Sequence, residues 1–407
     1  MDSELSQKIS LKELIKVSLH TGATAYGGPA MFAQIKKKFV TEKKWINEKE
    51  FLDVLSFVQI LPGATGILTM ACIGYKLREV KGALVVSFFF ILPTFLAITF
   101  LSYLYFNFRD LALVKSLFTG LGAMVVALLI NAVVTLGKTV FPKFTVRYYK
   151  GFLIAALIFM FSFWLRINFV YLIIDAGILG FLSYYFTGEY ERVSESDSPV
   201  LPDFNKGLIS NAVAWLAPYS VFIIANLVIL FIVLFFPALQ ELFLSFFKIG
   251  LLAFGGGFNS IPLIQHEIIS VHHWLTLSEF RDGIALGQIT PGPVLITSAF
   301  IGYKVYGFIG AVTAAVGIFT PSLVLLFLLY NVHTKLTKLP AINVIMKGIL
   351  AGFIGLLIST TIHFGIESLF DWRTWLIFSL SLIALLKFKI DPLWIIIGTL
   401  IISVLIL

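Results

Sequence analysis

A single cysteine, Cys72, stands in 407 residues, so the chain forms no internal disulfide and offers no thiolate cage for a metal. Charge is equally scarce. Asp, Glu, Lys and Arg make up 13% of the residues, where a soluble domain carries about 25%. That shortfall excludes a soluble globular protein. No GxSxG elbow, Walker lysine loop or HExxH helix occurs, and those motifs carry the common hydrolytic, nucleotide and zinc chemistries. His272-His273 is an adjacent pair, which does not put both rings on one helix face. No soluble segment is long enough for a nucleotide-driven motor. The expectation is a protein that is not an enzyme and needs no cofactor and no metal. The opening MDSELSQKISLKELIK is polar and basic and lacks the apolar core of a secretory signal.

What is present is apolar. Hydrophobic residues reach 59% and aromatic ones 15%, and the mean hydropathy is +0.96. A bilayer-spanning helix needs about 20 such residues. Runs of that kind recur along the chain, so the fold class expected is an all-α polytopic membrane protein embedded in the lipid bilayer. The net charge of +8 is accounted for by basic cytoplasmic loops, and no nucleic-acid partner is expected. The polar stretch from Gly188 to Asn211 reads as a linker, followed by a lone span, Ala212 to Phe236.

The rest is a tandem duplication. Phe51 to Pro93 and Phe280 to Pro321 share an acid after the Phe, Gln-Ile, a Pro-Gly break, Gly-Tyr-Lys, Gly-Ala and a closing Pro. Gly22 and Gly250, Gly27 and Gly255, Lys76 and Lys304, and Pro93 and Pro321 all stand 228 apart; Asp53 and Asp282 stand 229 apart. The first repeat is placed at 11–190, the linker and connecting span at 191–239, and the second repeat at 240–407. A lone span between repeats inverts the second relative to the first. Lysine bias agrees: the loop Lys36 to Glu50 holds six lysines, and its counterpart Gln265 to Arg281 holds none. By the positive-inside rule the N-terminus is cytoplasmic and the C-terminus outside. The expected architecture is two inverted-topology repeats of about six apolar elements each. Their helices are broken or re-entrant, the pattern of secondary transporters.

The breaks are the candidate binding site, because hydrocarbon leaves no partner for the backbone groups that a break frees. One constellation is Gly27 and Gly28 with Gly255, Gly256, Gly257 and Asn259. Here glycine either lets an ion approach the N–H groups of a half-helix or serves close helix packing. The other is Pro62, Gly63 and Thr65 with Gln288, Thr290, Pro291 and Gly292, either an uncharged lining for a ligand or packed kinks. Lys76 and Lys304 either meet an anion or snorkel to the headgroups. Asp53 and Asp282 either favour a helix N-terminus or carry a coupled proton, and Glu267 is a third candidate for the proton.

FGGG with an Ile-Pro-Leu-Ile run and Glu267, then ALGQITPGPV, FIGY and Pro321, resembles the chromate ion transporter family, and YGGP, LPGAT and IGYK match its N-terminal copy. The resemblance covers both repeats and leaves out the linker and the lone span. It implies a long-chain, two-copy protein of the cell inner membrane that exports chromate, with sulfate as a competing dianion and proton-motive coupling. LPGA in one copy against TPGP in the other implies unequal contributions. A sulfate or other small-anion carrier, a passive anion channel and a homodimeric assembly all stay open.

Overall fold

The computed structural model describes residues 9–25, 29–141, 149–165, 167–185, 236–330 and 339–407. Gly27, Gly28 and nearly all of the linker and lone span lie outside the described residues. Every regular element among the described residues is helical. In the first repeat these are α1 (Leu11–Thr24), α2 (Pro29–Lys36, extended by a π-turn Lys37–Glu42), α3 (Glu48–Val58), α4 (Thr65–Phe108), α5 (Ala112–Val140), α6 (Tyr149–Phe163) and α7 (Phe169–Tyr185). In the second they are α8 (Pro237–Leu252), α9 (Ile261–Gln265, between a 3-10 turn Gly257–Ser260 and a π-turn His266–Val271), α10 (Leu277–Ile289), α11 (Thr297–Leu329), α12 (Pro340–Ser368), α13 (Trp372–Leu386) and α14 (Pro392–Ile406). The two series correspond element by element, down to the paired π-turns.

Matched residues start and stop these helices. Asn47 and Thr276 open α3 and α10 with the same capping box, closed by Glu50 and Glu279. Each box satisfies helix-start donors that nothing inside the helix can reach.

Among the described residues, four helices are long and apolar enough to cross a membrane: Thr65–Phe108, Ala112–Val140, Val294–Leu329 and Ala341–Ser368. Two of these contain a reversal. Arg78 and Glu79 in α4 (φ −151°, ψ 28°; φ 52°, ψ −145°) and Tyr306 and Gly307 in α11 (φ −141°, ψ 34°; φ 56°, ψ −144°) leave the helical region at matched positions. Gly74 and Gly82 would be about 12 Å apart on a straight helix. A β-carbon on Gly74 would instead lie 2.6 Å from the Gly82 carbonyl oxygen, and one on Gly302 would lie 2.2 Å from that of Gly310. The chain therefore folds back on itself. The arms before each turn are about 15–20 Å long at 1.5 Å per residue, half a bilayer; only the arms after it are long enough to cross.

The repeats are interwoven. Inside each repeat, α1 packs on α4 and α8 on α11, with Gly22 against the Phe90 backbone and Gly250 against that of Ile318. Across repeats, α12 lies on α6 and α7, while α5 lies on α13 and α14. Gly348, Gly352 and Gly355 bring α12 against Gly180, Ala176 and the Ala155 backbone. This is the small-residue contact that membrane helices use in place of a hydrophobic driving force. The perimeter stays apolar: Phe88, Phe100, Tyr171, Ile366 and Leu405 are exposed, and so are Trp164, Trp372 and Trp394 at helix ends. A lipid-facing belt with interfacial Trp has this distribution.

Candidate functional site

The Pro-Gly break of each repeat docks onto the end of the glycine-bearing helix of the other. The Gly63 N–H donates to the Ala253 carbonyl at 2.8 Å, and the Gly292 N–H donates to the Ala25 carbonyl at 2.7 Å. Ala25 and Ala253 are matched residues, as are Gly63 and Gly292, so the contact is reciprocal, as across a two-fold axis. The residue after each closing Pro completes it. The Thr94 hydroxyl donates to the Pro291 carbonyl at 2.5 Å, and a β-carbon on Gly63 would lie 1.9 Å from Ser322 Oγ. Gly63 (φ 116°) and Gly292 (φ 119°) hold a backbone that L side chains rarely adopt. Their N–H groups are spent on this clasp and are not free donors for an ion.

The two halves of the clasp differ in saturation. Thr94 has its acceptor, whereas Ser322 Oγ is buried with no partner among the described residues, and Ser298 Oγ and Gln288 Nε2, from the helix ends on either side of the Pro291–Gly292 break, share that state. An unmatched buried donor costs about 1–3 kcal/mol, which a bound acceptor would recover. Thr290 donates to the Gly287 carbonyl and Thr69 back to the Thr65 carbonyl, so Thr290 caps its helix end and Thr65 serves through its backbone. Asn259 is buried and holds the glycine turn through the Phe254 carbonyl, 3.2 Å away. Gly255 is closed off by Leu350 and Gly257 by Val294, but a β-carbon on Gly256 would meet nothing within 4 Å. Gly256 is where this turn faces open space.

The lysines are committed elsewhere. Lys76 pairs with Glu50 at 2.6 Å, and Lys304 pairs with the matched Glu279 at 3.1 Å. Each carboxylate also closes its capping box, so the Gly-Tyr-Lys motif ties the short arm of a hairpin to the start of α3 or α10. Neither lysine is a free cation for a ligand, and neither simply snorkels.

The two aspartates part company. Asp53 is exposed, while Asp282 is buried. Asp282 accepts from the Tyr105 hydroxyl at 2.8 Å and from Arg281 at 3.0 and 3.2 Å. Arg281 reaches Ser368 and lies against Gly122, where a side chain would strike its guanidinium. Arg109 joins Glu279. These groups border a cleft of about 450 Å³ lined by Tyr105, Arg109, Lys115, Glu279, Arg281 and Asp282. Sequence reasoning missed Tyr105, Arg109 and Arg281. The available signal was a departure between copies, since Leu52 occupies the place of Arg281.

Glu267 is buried and pairs with Lys248 at 2.9 Å. His272 Nε2 lies 3.6 Å from the same carboxylate, and His272 Nδ1 lies 2.9 Å from Glu241.

Comparison with known proteins gives a consistent answer. The profile of a family described as chromate transporter matches residues 12–181 and 240–404. An uncharacterized transporter of Methanocaldococcus jannaschii is 33% identical over 96% of this chain and 92% of its own length. A chromate transport protein of Cupriavidus metallidurans is 28% identical over 93% of this chain and 89% of its own. An uncharacterized transporter of Bacillus subtilis is 29% identical over 90% of its own length but only 39% of this chain, the size of one repeat. No solved structure matches.

Proposed function

The chain belongs to the chromate transporter family, and from that membership we propose that it exports chromate across the inner membrane in a proton-coupled secondary transport cycle. The N-terminus is cytoplasmic and the C-terminus outside in this reading. The observation that carries it is the reciprocal clasp, which brings the broken segments of both repeats to one place. Ser322 touches the clasp at Gly63, and Ser298 and Gln288 flank the Pro291–Gly292 break along the chain; all three lack a partner among the described residues, and Gly256 faces open space.

A tetrahedral dianion entering such a place gives up water and needs hydrogen-bond donors in return. Uncharged hydroxyl, amide and backbone N–H groups supply them at moderate strength, so the ion is held and then released. A free lysine would hold it longer, and Lys76, Lys304 and Lys248 are each neutralised by a carboxylate. Sulfate has the same charge and shape and competes for the donors. The two clasp bonds lie on matched segments. Opening them one at a time would expose the site to one side and then the other, the rocking of repeats expected of such transporters.

The test is chromate flux in vesicles reconstituted with the purified protein. Saturable flux that sulfate inhibits and a pH gradient alters is expected. Each of Ser322→Ala and Ser298→Ala should weaken apparent affinity about 10- to 100-fold, the worth of a hydrogen bond to a charged group at about 1.5–3 kcal/mol. Sulfate flux without chromate flux would identify a sulfate carrier. Unsaturable current that ignores the pH gradient would identify a passive channel. Chromate flux equal to that of empty vesicles would end the proposal.

A further inference from the structure

One side of α8 carries a ladder that the first repeat lacks. Glu241, Ser245 and Lys248 recur at one-turn spacing and rise about 10 Å toward Ala253, the residue whose carbonyl closes the clasp. Glu241 is exposed at the foot. His272 stands beside it, with Nδ1 2.9 Å from Glu241, and Nε2 2.8 Å from Ser245 Oγ and 3.6 Å from Glu267. Glu267 is 3% exposed and pairs with Lys248. Lys248 lies over the Phe169 ring of α7, against which His266 also packs. Among the described residues, the titratable and charged groups facing this ladder are therefore Glu241 and Lys248 from α8, and Glu267, His266 and His272 from the π-turn and the residue that follows it.

The matched positions in the first repeat are Glu13, Val17 and His20 on α1, with Lys38 and Lys43. Lys43 pairs with Glu13 at 2.7 Å, and Lys38 turns to Glu42. The outer contact survives in both repeats, but a fixed ammonium occupies the place of the imidazole. Val17 removes the hydroxyl, and a lysine replaces the buried carboxylate. Imidazole is the side chain whose charge changes between pH 5 and 8. Among the described residues, only the second repeat joins such a group to an exposed carboxylate at one nitrogen and to a buried acid at the other.

We propose that His272 is the proton relay of the second repeat's face, taking a proton from solvent beside Glu241 at Nδ1 and passing the Nε2 proton to Glu267, 3.6 Å away. The proton that arrives at Glu267 neutralises the carboxylate and leaves Lys248 uncompensated. Each transfer thus raises the charge beside the inner part of α8 by one. His272 acts through Glu267 and is a positioning and relay residue. The inference rests on the proton-coupled reading above and names the group that serves it.

Two measurements test it in the full chain. His272 stacks on Trp274 with ring centroids 4.2 Å apart, so protonating the imidazole should quench that indole. The fluorescence difference between the unaltered protein and Trp274→Phe should change with pH, and that change should be absent in His272→Gln. In reconstituted vesicles, His272→Gln and His272→Lys should retain chromate–chromate exchange within about twofold while losing at least tenfold of the acceleration produced by a pH gradient. His272→Lys copies the first repeat and guards against misfolding as the cause. Gradient-driven flux unchanged in both variants would overturn the relay alone. Chromate flux absent from the unaltered protein would end the relay together with the function it serves.

Discussion

Glu79 and Gly307 occupy the same corner of two hairpins with nearly the same backbone, φ 52° and 56° with ψ near −145° in both. Only glycine adopts that region without steric cost. Such a residue stores on the order of 1–3 kcal/mol, and Glu79 is exposed. Glu79→Gly should therefore raise thermal stability in detergent by about 1 kcal/mol after the extra chain entropy of glycine is subtracted. Gly307→Ala should lower it by a similar amount, although a β-carbon there meets open space. Equal melting temperatures for all three proteins would contradict the dihedral account. The Gly-Tyr-Lys motif is plain in both copies of the sequence. Its partners Glu50 and Glu279 lie about 25 residues away, and pairing over that distance is set by the hairpin and not by local pattern.

At the scale of elements, the hairpins depend on two glycine pairs. Gly302 and Gly310 press backbone against backbone, and a β-carbon on Gly310 would lie only 2.1 Å from the Gly302 carbonyl oxygen. Gly310→Leu should drive the two arms of α11 apart. The overpacking cost of a tight core, typically 1–3 kcal/mol and sometimes more, is the minimum loss, read as a lower melting temperature and aggregation on size exclusion. Gly398→Leu on α14 meets no neighbour and should leave both readings near those of the unaltered protein. The Pro-Gly breaks were legible because proline interrupts a helix wherever it sits. The chain reversals at Arg78–Glu79 and Tyr306–Gly307 were less so, because no proline marks them and the Arg-Glu corner has the composition of a surface helix.

At the scale of the whole molecule, the reciprocal contacts bind the repeats into one body. The first repeat's α5 completes the packing of α13 and α14, and the second repeat's α12 completes that of α6 and α7. Neither repeat buries its helices alone. The orientation across the membrane has its own test. Lys44 and His273 are exposed residues of matched loops and share a positive φ. With Cys72 replaced, a cysteine at Lys44 should react with an impermeant thiol reagent only from the cytoplasmic side, and one at His273 only from outside. Reaction of both from one side would overturn the inverted arrangement.

The sequence by itself determined that the chain is a helical membrane protein, that it is a duplication, and where its helices break. Those properties are local: apolar run length, proline and glycine placement, and the spacing of matched motifs. Tertiary structure decided which breaks meet and which charges are spent. Gly63 reaches Ala253 and Gly292 reaches Ala25 across some 190 to 270 residues of chain, and Lys76, Lys304 and Lys248 are neutralised by acids that only folding brings near. Pairing of this kind depends on distance in space, which a periodic pattern along the chain does not encode. In a chain so poor in charge, these lysines are held by acids of the same fold, and the candidate site is left to uncharged donors.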